Sequence, residues 1–118
     1  MNTRYTVETQ HLIDAVLSSP GDSDPALRRA VEAQTAQLSG RSSRQAASVP
    51  SEIVDYITKV ALHAYRTTDQ DIEALRTAGY SEDAIFEITL SAALGTGMAR
   101  LERGLEALKG DKDAAQKD

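Results

Sequence analysis

The chain has 118 residues, 41% of them hydrophobic, with 18 acidic against 13 basic side chains and a formal charge of −5. That length makes one domain able to bury roughly two thirds of its unfolded surface, and the acidic field repels nucleic acid and anionic lipid, so neither is an expected partner. Cysteine and tryptophan are absent and phenylalanine occurs once, which excludes disulfides, thiolate metal sites and thiol redox chemistry and leaves an aliphatic core.

The first residues, MNTRYTVETQ, lack the apolar core of a signal peptide. The longest uncharged run, Ile88 to Ala99, is 12 residues, too short for a bilayer of ~30 Å. A cytoplasmic protein is expected. From Thr6 to Ser18, the residues Leu12, Ile13, Val16 and Leu17 are spaced as one stripe on a first helix, which Pro20, Gly21 and Asp22 end. His11 lies beside that stripe and reads as a surface group rather than a ligand.

Asp24-Pro25 starts a second helix, since aspartate caps and proline's fixed φ suits the first helical position. It is expected to run to about Leu38, with Leu27, Val31, Gln34 and Leu38 on one face, Arg28, Arg29 and Glu32 on or near a solvated one, and Gly40 as its stop. The stretch 41–49, RSSRQAASV, has no periodicity and reads as a loop; its two arginines among hydroxyls have the chemistry to hold a small anion. Pro50 opens a third helix with Glu52 in its first turn and Ile53, Ile57, Val60 and Ala64 as its stripe. Tyr56, Lys59 and His63 follow a neighbouring line. At the end of this helix a protonated His63 would suit the negative end of the dipole, which competes with a general-base role.

Thr68 and Asp71 form a capping box, so a fourth helix is expected from about Asp69. Ile72 and Leu75 are its apolar stripe and Gly79 its left-handed stop. Ser81 caps a fifth, with Glu82 and Asp83 at the positive end of its dipole. Along it Leu94, Met98, Leu101, Leu105 and Leu108 make one stripe while Ile85, Ile88, Ala92 and Gly95 make another. A helix apolar on two faces is expected to be covered on both. Gly95 and Gly97 fall within one turn; each helical glycine costs about 1 kcal/mol, which points to a second backbone passing close, with a local kink as the other reading. Gly110 is expected to end this helix, leaving a single all-α domain over 1–109 and a frayed, disordered tail over 110–118.

The run TDQDIEALRTAGYSEDAIFE from Thr68, with the upstream KVALHAY from Lys59 to Tyr65 and the downstream AALGTG, resembles the C-terminal half of the carboxymuconolactone decarboxylase / alkylhydroperoxidase-D-like family. The match is dense over 49–108 and sparser over 24–40. It implies an all-α alkylhydroperoxidase-D-like fold of about five helices, assembled as a homo-oligomer, a trimer or a multiple such as a hexamer. Peroxidase members resemble one another in a glutamate on the second helix, a Cys-x-x-Cys and a following histidine. Here Arg29 aligns with the glutamate, Arg41 and Arg44 with the cysteines, and Ser48 with the histidine. Arginine neither attacks peroxide nor acts as a base at neutral pH, and with no cysteine anywhere no shift of alignment restores the motif.

Three readings stand open. One is a cysteine-less, non-peroxidase family member that self-associates, with no cofactor and no metal. Another is a small-molecule lyase or decarboxylase in which an arginine, Arg41 or Arg44, holds a carboxylate while His63 moves a proton and Tyr65 assists. The third is a helical interaction module working through the stripe from Leu94 to Leu108, a stripe that a second copy would satisfy equally well.

Overall fold

The computed structural model describes residues 3–40 and 48–116. They form five α-helices, α1 (Thr3–Ser18), α2 (Pro25–Leu38), α3 (Ser51–His63), α4 (Asp69–Thr77) and α5 (Glu82–Gln116), with a short 3₁₀ turn over Ala64–Arg66. No strand occurs among the described residues. The all-α expectation holds, and the boundaries signalled by Asp24-Pro25, Gly40, Thr68, Gly79 and Ser81 fall where those signals stand. Arg41 and Arg44, with most of the expected loop, lie outside the described residues.

Asp24 accepts a hydrogen bond from the Ala26 N–H at 2.9 Å and Pro25 begins α2. Gly40, at φ 100°, closes it. The capping box at Thr68 is formed, with the Thr68 N–H donating to Asp71 Oδ2 at 2.8 Å. At the other end of α4, Gly79 has φ 105°. The Tyr80 N–H reaches the Leu75 carbonyl at 3.1 Å and the Gly79 N–H reaches Arg76 at 3.0 Å, the paired bonds of a Schellman close. Ser81 Oγ then accepts from the Ala84 N–H at 3.1 Å and starts α5.

The core is one cluster of Ala30 and Val31 from α2, Ile53, Tyr56 and Ile57 from α3, Leu75 from α4 and Ile85, Ile88 and Ala92 from α5, with Val49 ahead of α3. The close contact between α2 and α5 centres on Gly95. A Cβ there would collide with the Glu32 carbonyl and with Thr35 Oγ1, so close backbone approach, not a kink, accounts for this glycine. Gly97 has nothing within 4 Å of its missing Cβ, and the chain itself supplies no reason for it.

Four expectations are corrected. Arg28 and Glu32, read as solvated, are buried at 2% and 3% exposure, because α2 is enclosed by neighbours on more than one side. Leu12 and Leu38, read as apolar anchors, are exposed. The second stripe of α5 is not covered within the chain: Leu101, Leu105 and Leu108 are exposed, as are Phe86 and Leu90, while Leu94 and Met98 are half-buried. Gly110 does not end α5, whose backbone continues to Gln116. A helix interior tolerates a glycine at about 1 kcal/mol, which is too little to stop a long one.

Candidate functional site

Two polar clusters serve the fold. Glu87 on α5 accepts from the Asp22 N–H at 3.0 Å, the Ser23 N–H at 2.7 Å and the Ser23 hydroxyl at 2.5 Å. Burial works against the charged form of Glu87. The Ser23 and Asp22 hydrogen bonds and the nearby Arg28 charge outweigh it and hold the carboxyl below its ordinary value. Arg28 itself donates to the carbonyls of Val16 at 2.8 Å, Ser19 at 2.5 Å and Ser23 at 3.3 Å. It thereby ties down the end of α1 and the turn after it. In the second cluster Lys59 pairs with Asp71 at 2.8 Å, joining α3 to α4. That hydrogen bond, and the Thr68 N–H after it, lower the Asp71 carboxyl. Tyr56 sits close by. Thr89 Oγ1 gives its proton to the Ile85 carbonyl at 2.7 Å, so Tyr56 Oη is the donor in their 2.6 Å contact.

Among the described residues, three surface cavities differ in their charge. One of about 400 Å³ between the 19–24 turn and the start of α5 is lined by Asp22 and Asp24. Another of about 280 Å³ beside α4 is lined by Glu52, Asp55 and Asp71 as well as Lys59. Burial and the neighbouring Glu52, to which its hydroxyl donates at 3.1 Å, raise the pKa of Tyr80 near these acidic surfaces. The third, about 590 Å³, lies between the end of α3 and the middle of α5. Its lining holds Tyr65, Thr96 and Arg100 among small and aliphatic side chains, and no acid.

The third cavity is the candidate site. The last turn of α3 and the 3₁₀ turn carry Val60, Leu62 and Tyr65 to one wall, and α5 carries Ala93, Thr96, Gly97 and Arg100 to the other. The small residues of α5 make it a hollow. The Arg100 Nη2 donates to the Ala61 carbonyl at 3.4 Å across the gap. Tyr65 stands out from the surface, with the His63 ring edge-on at 6.1 Å between centroids and the Arg66 guanidinium 5.6 Å from its ring centre.

No protein-family model matches this chain, and no curated protein matches it. The site therefore rests on its own geometry. Of the residues nominated from sequence, Tyr65 lines the cavity and His63 stands beside it on the exposed surface, touching Tyr65 rather than the cavity wall. Arg41 and Arg44 lie outside the described residues. The arginine that the cavity does hold is Arg100, which the sequence analysis did not single out. Its one available signal was a cation directly after the longest uncharged run, at i+3 from Gly97 on the same helix face. Among the described residues no group of three His, Cys, Asp or Glu could hold a metal ion, and no helix is long and apolar enough to cross a membrane.

Proposed function

We propose that this chain is a self-associating helical protein of the carboxymuconolactone decarboxylase / alkylhydroperoxidase-D-like kind whose role is not peroxide reduction. The observation that carries the reading is the state of α5. One face is fixed against α2, with Ile88 and Ala92 fully buried. The face bearing Phe86, Leu90, Leu101, Leu105 and Leu108 is left open by the chain. Burying a leucine stabilises by about 1.5–3 kcal/mol, so a row of them is a strong drive to associate, and a second copy of the same helix offers a matching apolar row. Gly97 supports the same reading, since a helical glycine with open space at its Cβ admits another backbone.

The absence of cysteine removes both the attacking and the resolving thiol that the resembling peroxidases use. Two measurements test the proposal separately. Light scattering at micromolar concentration is expected to give a multiple of 12.7 kDa, and a monomer would refute self-association. Hydroperoxide consumption with a dithiol donor is expected to stay at the buffer rate, and turnover above it would refute the non-peroxidase reading.

The lyase reading keeps one support, the position of His63 beside a cavity that holds an arginine. In that reading Arg100 takes the place of Arg41 or Arg44 as carboxylate clamp, and His63 reaches the substrate past Tyr65. Replacement of His63 by glutamine would then abolish any release of CO₂ from a carboxylated lactone, whereas activity retained in the variant would remove His63 from the chemistry.

A further inference from the structure

We infer that the hollow between α3 and α5 is a binding site for a small carboxylate monoanion with an apolar body, held by the Arg100 guanidinium. Charge decides the sign of the ligand. The chain carries 18 acidic residues against 13 basic ones, and the cavity at the 19–24 turn and the one beside α4 are each lined by two or more carboxylates. This one is lined by none, and its charged wall residue is an arginine. Tyr65, one of the lining residues, carries the Arg66 guanidinium 5.6 Å from its ring centre, a second positive charge in the neighbourhood. In a molecule whose overall field repels anions, a hollow free of acid and lined by a guanidinium group is where an anion is tolerated.

The guanidinium is positioned but not consumed. Its bond to the Ala61 carbonyl is at the long end of hydrogen-bond range, 3.4 Å, and engages one of the five N–H donors an arginine presents. A carboxylate accepts two of them in parallel, the geometry in which an arginine binds most specifically. The body of the ligand is set by the remaining walls. Val60 and Leu62 are aliphatic, Tyr65 offers an aromatic face, and Gly97 leaves the floor open because no side chain fills it. Thr96 supplies a second polar point. It is 7% exposed, and its hydroxyl is buried without a hydrogen-bond partner among the described residues. A polar substituent on the ligand would give that hydroxyl a partner.

The site requires no catalytic step: it uses the arginine that the lyase reading takes as its carboxylate clamp, but binding there depends on neither lyase nor peroxidase turnover. The test is a titration of the ¹⁵N-labelled full chain with sodium octanoate and, separately, with the neutral isostere octanamide. The expected result is a saturable shift of the amides around Leu62, Tyr65, Gly97 and Arg100 with octanoate, and affinity about tenfold or more lower for octanamide, the loss that a charge-assisted pair worth ~1.5 kcal/mol implies. Arg100→Gln should weaken octanoate by a similar factor and leave octanamide unchanged, and Arg100→Lys should recover part of the loss. Equal binding of acid and amide would overturn the inference, as would shifts centred elsewhere or no saturable shift. Should Arg100→Gln not fold, the acid–amide comparison on the unaltered chain decides alone. A second copy covering the hollow would appear as an absence of shifts and would count against it.

Discussion

The two glycines of α5 separate what packing requires from what it leaves open. Gly95 has the Glu32 carbonyl and Thr35 Oγ1 where its Cβ would be, and backbone cannot retreat as a side-chain tip can. Gly95→Ala is expected to destabilise the fold by about 1–3 kcal/mol, the usual penalty of overpacking, read as a lower denaturant midpoint. Gly97→Ala meets nothing within 4 Å, so in an isolated chain it gains up to about 1 kcal/mol of helix propensity. A fall in the midpoint with Gly97→Ala would show that a second backbone occupies that space in solution. Glu87 carries the pH dependence at this scale. Its folded pKa lies below the ordinary value of 4.5, so the native state binds fewer protons than the unfolded one and stability rises with pH through that window. The contribution is complete above about pH 4.5 and is lost as pH falls through the folded value. Glu87→Gln should flatten the stability profile between neutral pH and pH 3 and cost roughly 1–2 kcal/mol at pH 7, discounted for the partial exposure of the site; an unchanged acid slope would mean that Asp71 or other carboxylates carry it instead.

Apart from Gly110, which α5 passes through, helix starts and stops were legible where their causes are local. Asp24 with Pro25, Thr68 with Asp71, Gly79 and Ser81 each act within a few residues of themselves. Burial was less legible. Arg28 looks like a solvent cation until the Val16, Ser19 and Ser23 carbonyls close around it, and carbonyls carry no sequence signature. The same blindness hid Arg100, which donates to a backbone oxygen 39 positions away, while Tyr65 was found because it sits at a helix end beside His63. At the scale of elements, Arg28 is what fastens α1 to α2. Arg28→Met would keep most of the volume but strand three carbonyls, each costing about 1 kcal/mol or more when buried without a donor. The expected outcome is a loss of about 2–4 kcal/mol, with hydrogen exchange in α1 rising before exchange in α2 and α5. Uniform exchange across all helices would mean that α1 does not detach as a unit.

The molecule measures 60 × 28 × 24 Å, and α5 sets the long dimension, since 35 helical residues span about 52 Å at ~1.5 Å each. Its first four turns are half enclosed by α2 and α3. Beyond Leu101 it runs past them, with Arg103 still donating to the Ser39 carbonyl at 3.1 Å, and through Gly110 every residue but Glu102 is exposed. An isolated helix segment of this kind is marginal in water, because propensity alone does not offset the entropy of ordering it. Leu101, Leu105 and Leu108 lie on that projecting part, where the proposed association would supply the burial that stabilises it. Replacing Leu105 by lysine puts a charge into the middle of the row while touching nothing in the core cluster. The expected outcome is a shift in light scattering from a multiple to 12.7 kDa, with loss of helical signal equivalent to about the last ten to fifteen residues and an unchanged unfolding midpoint for the rest. A variant that stays associated would place the interface on the earlier turns of the same row, around Phe86, Leu90 and Gly97, nearer the hollow that Arg100 lines.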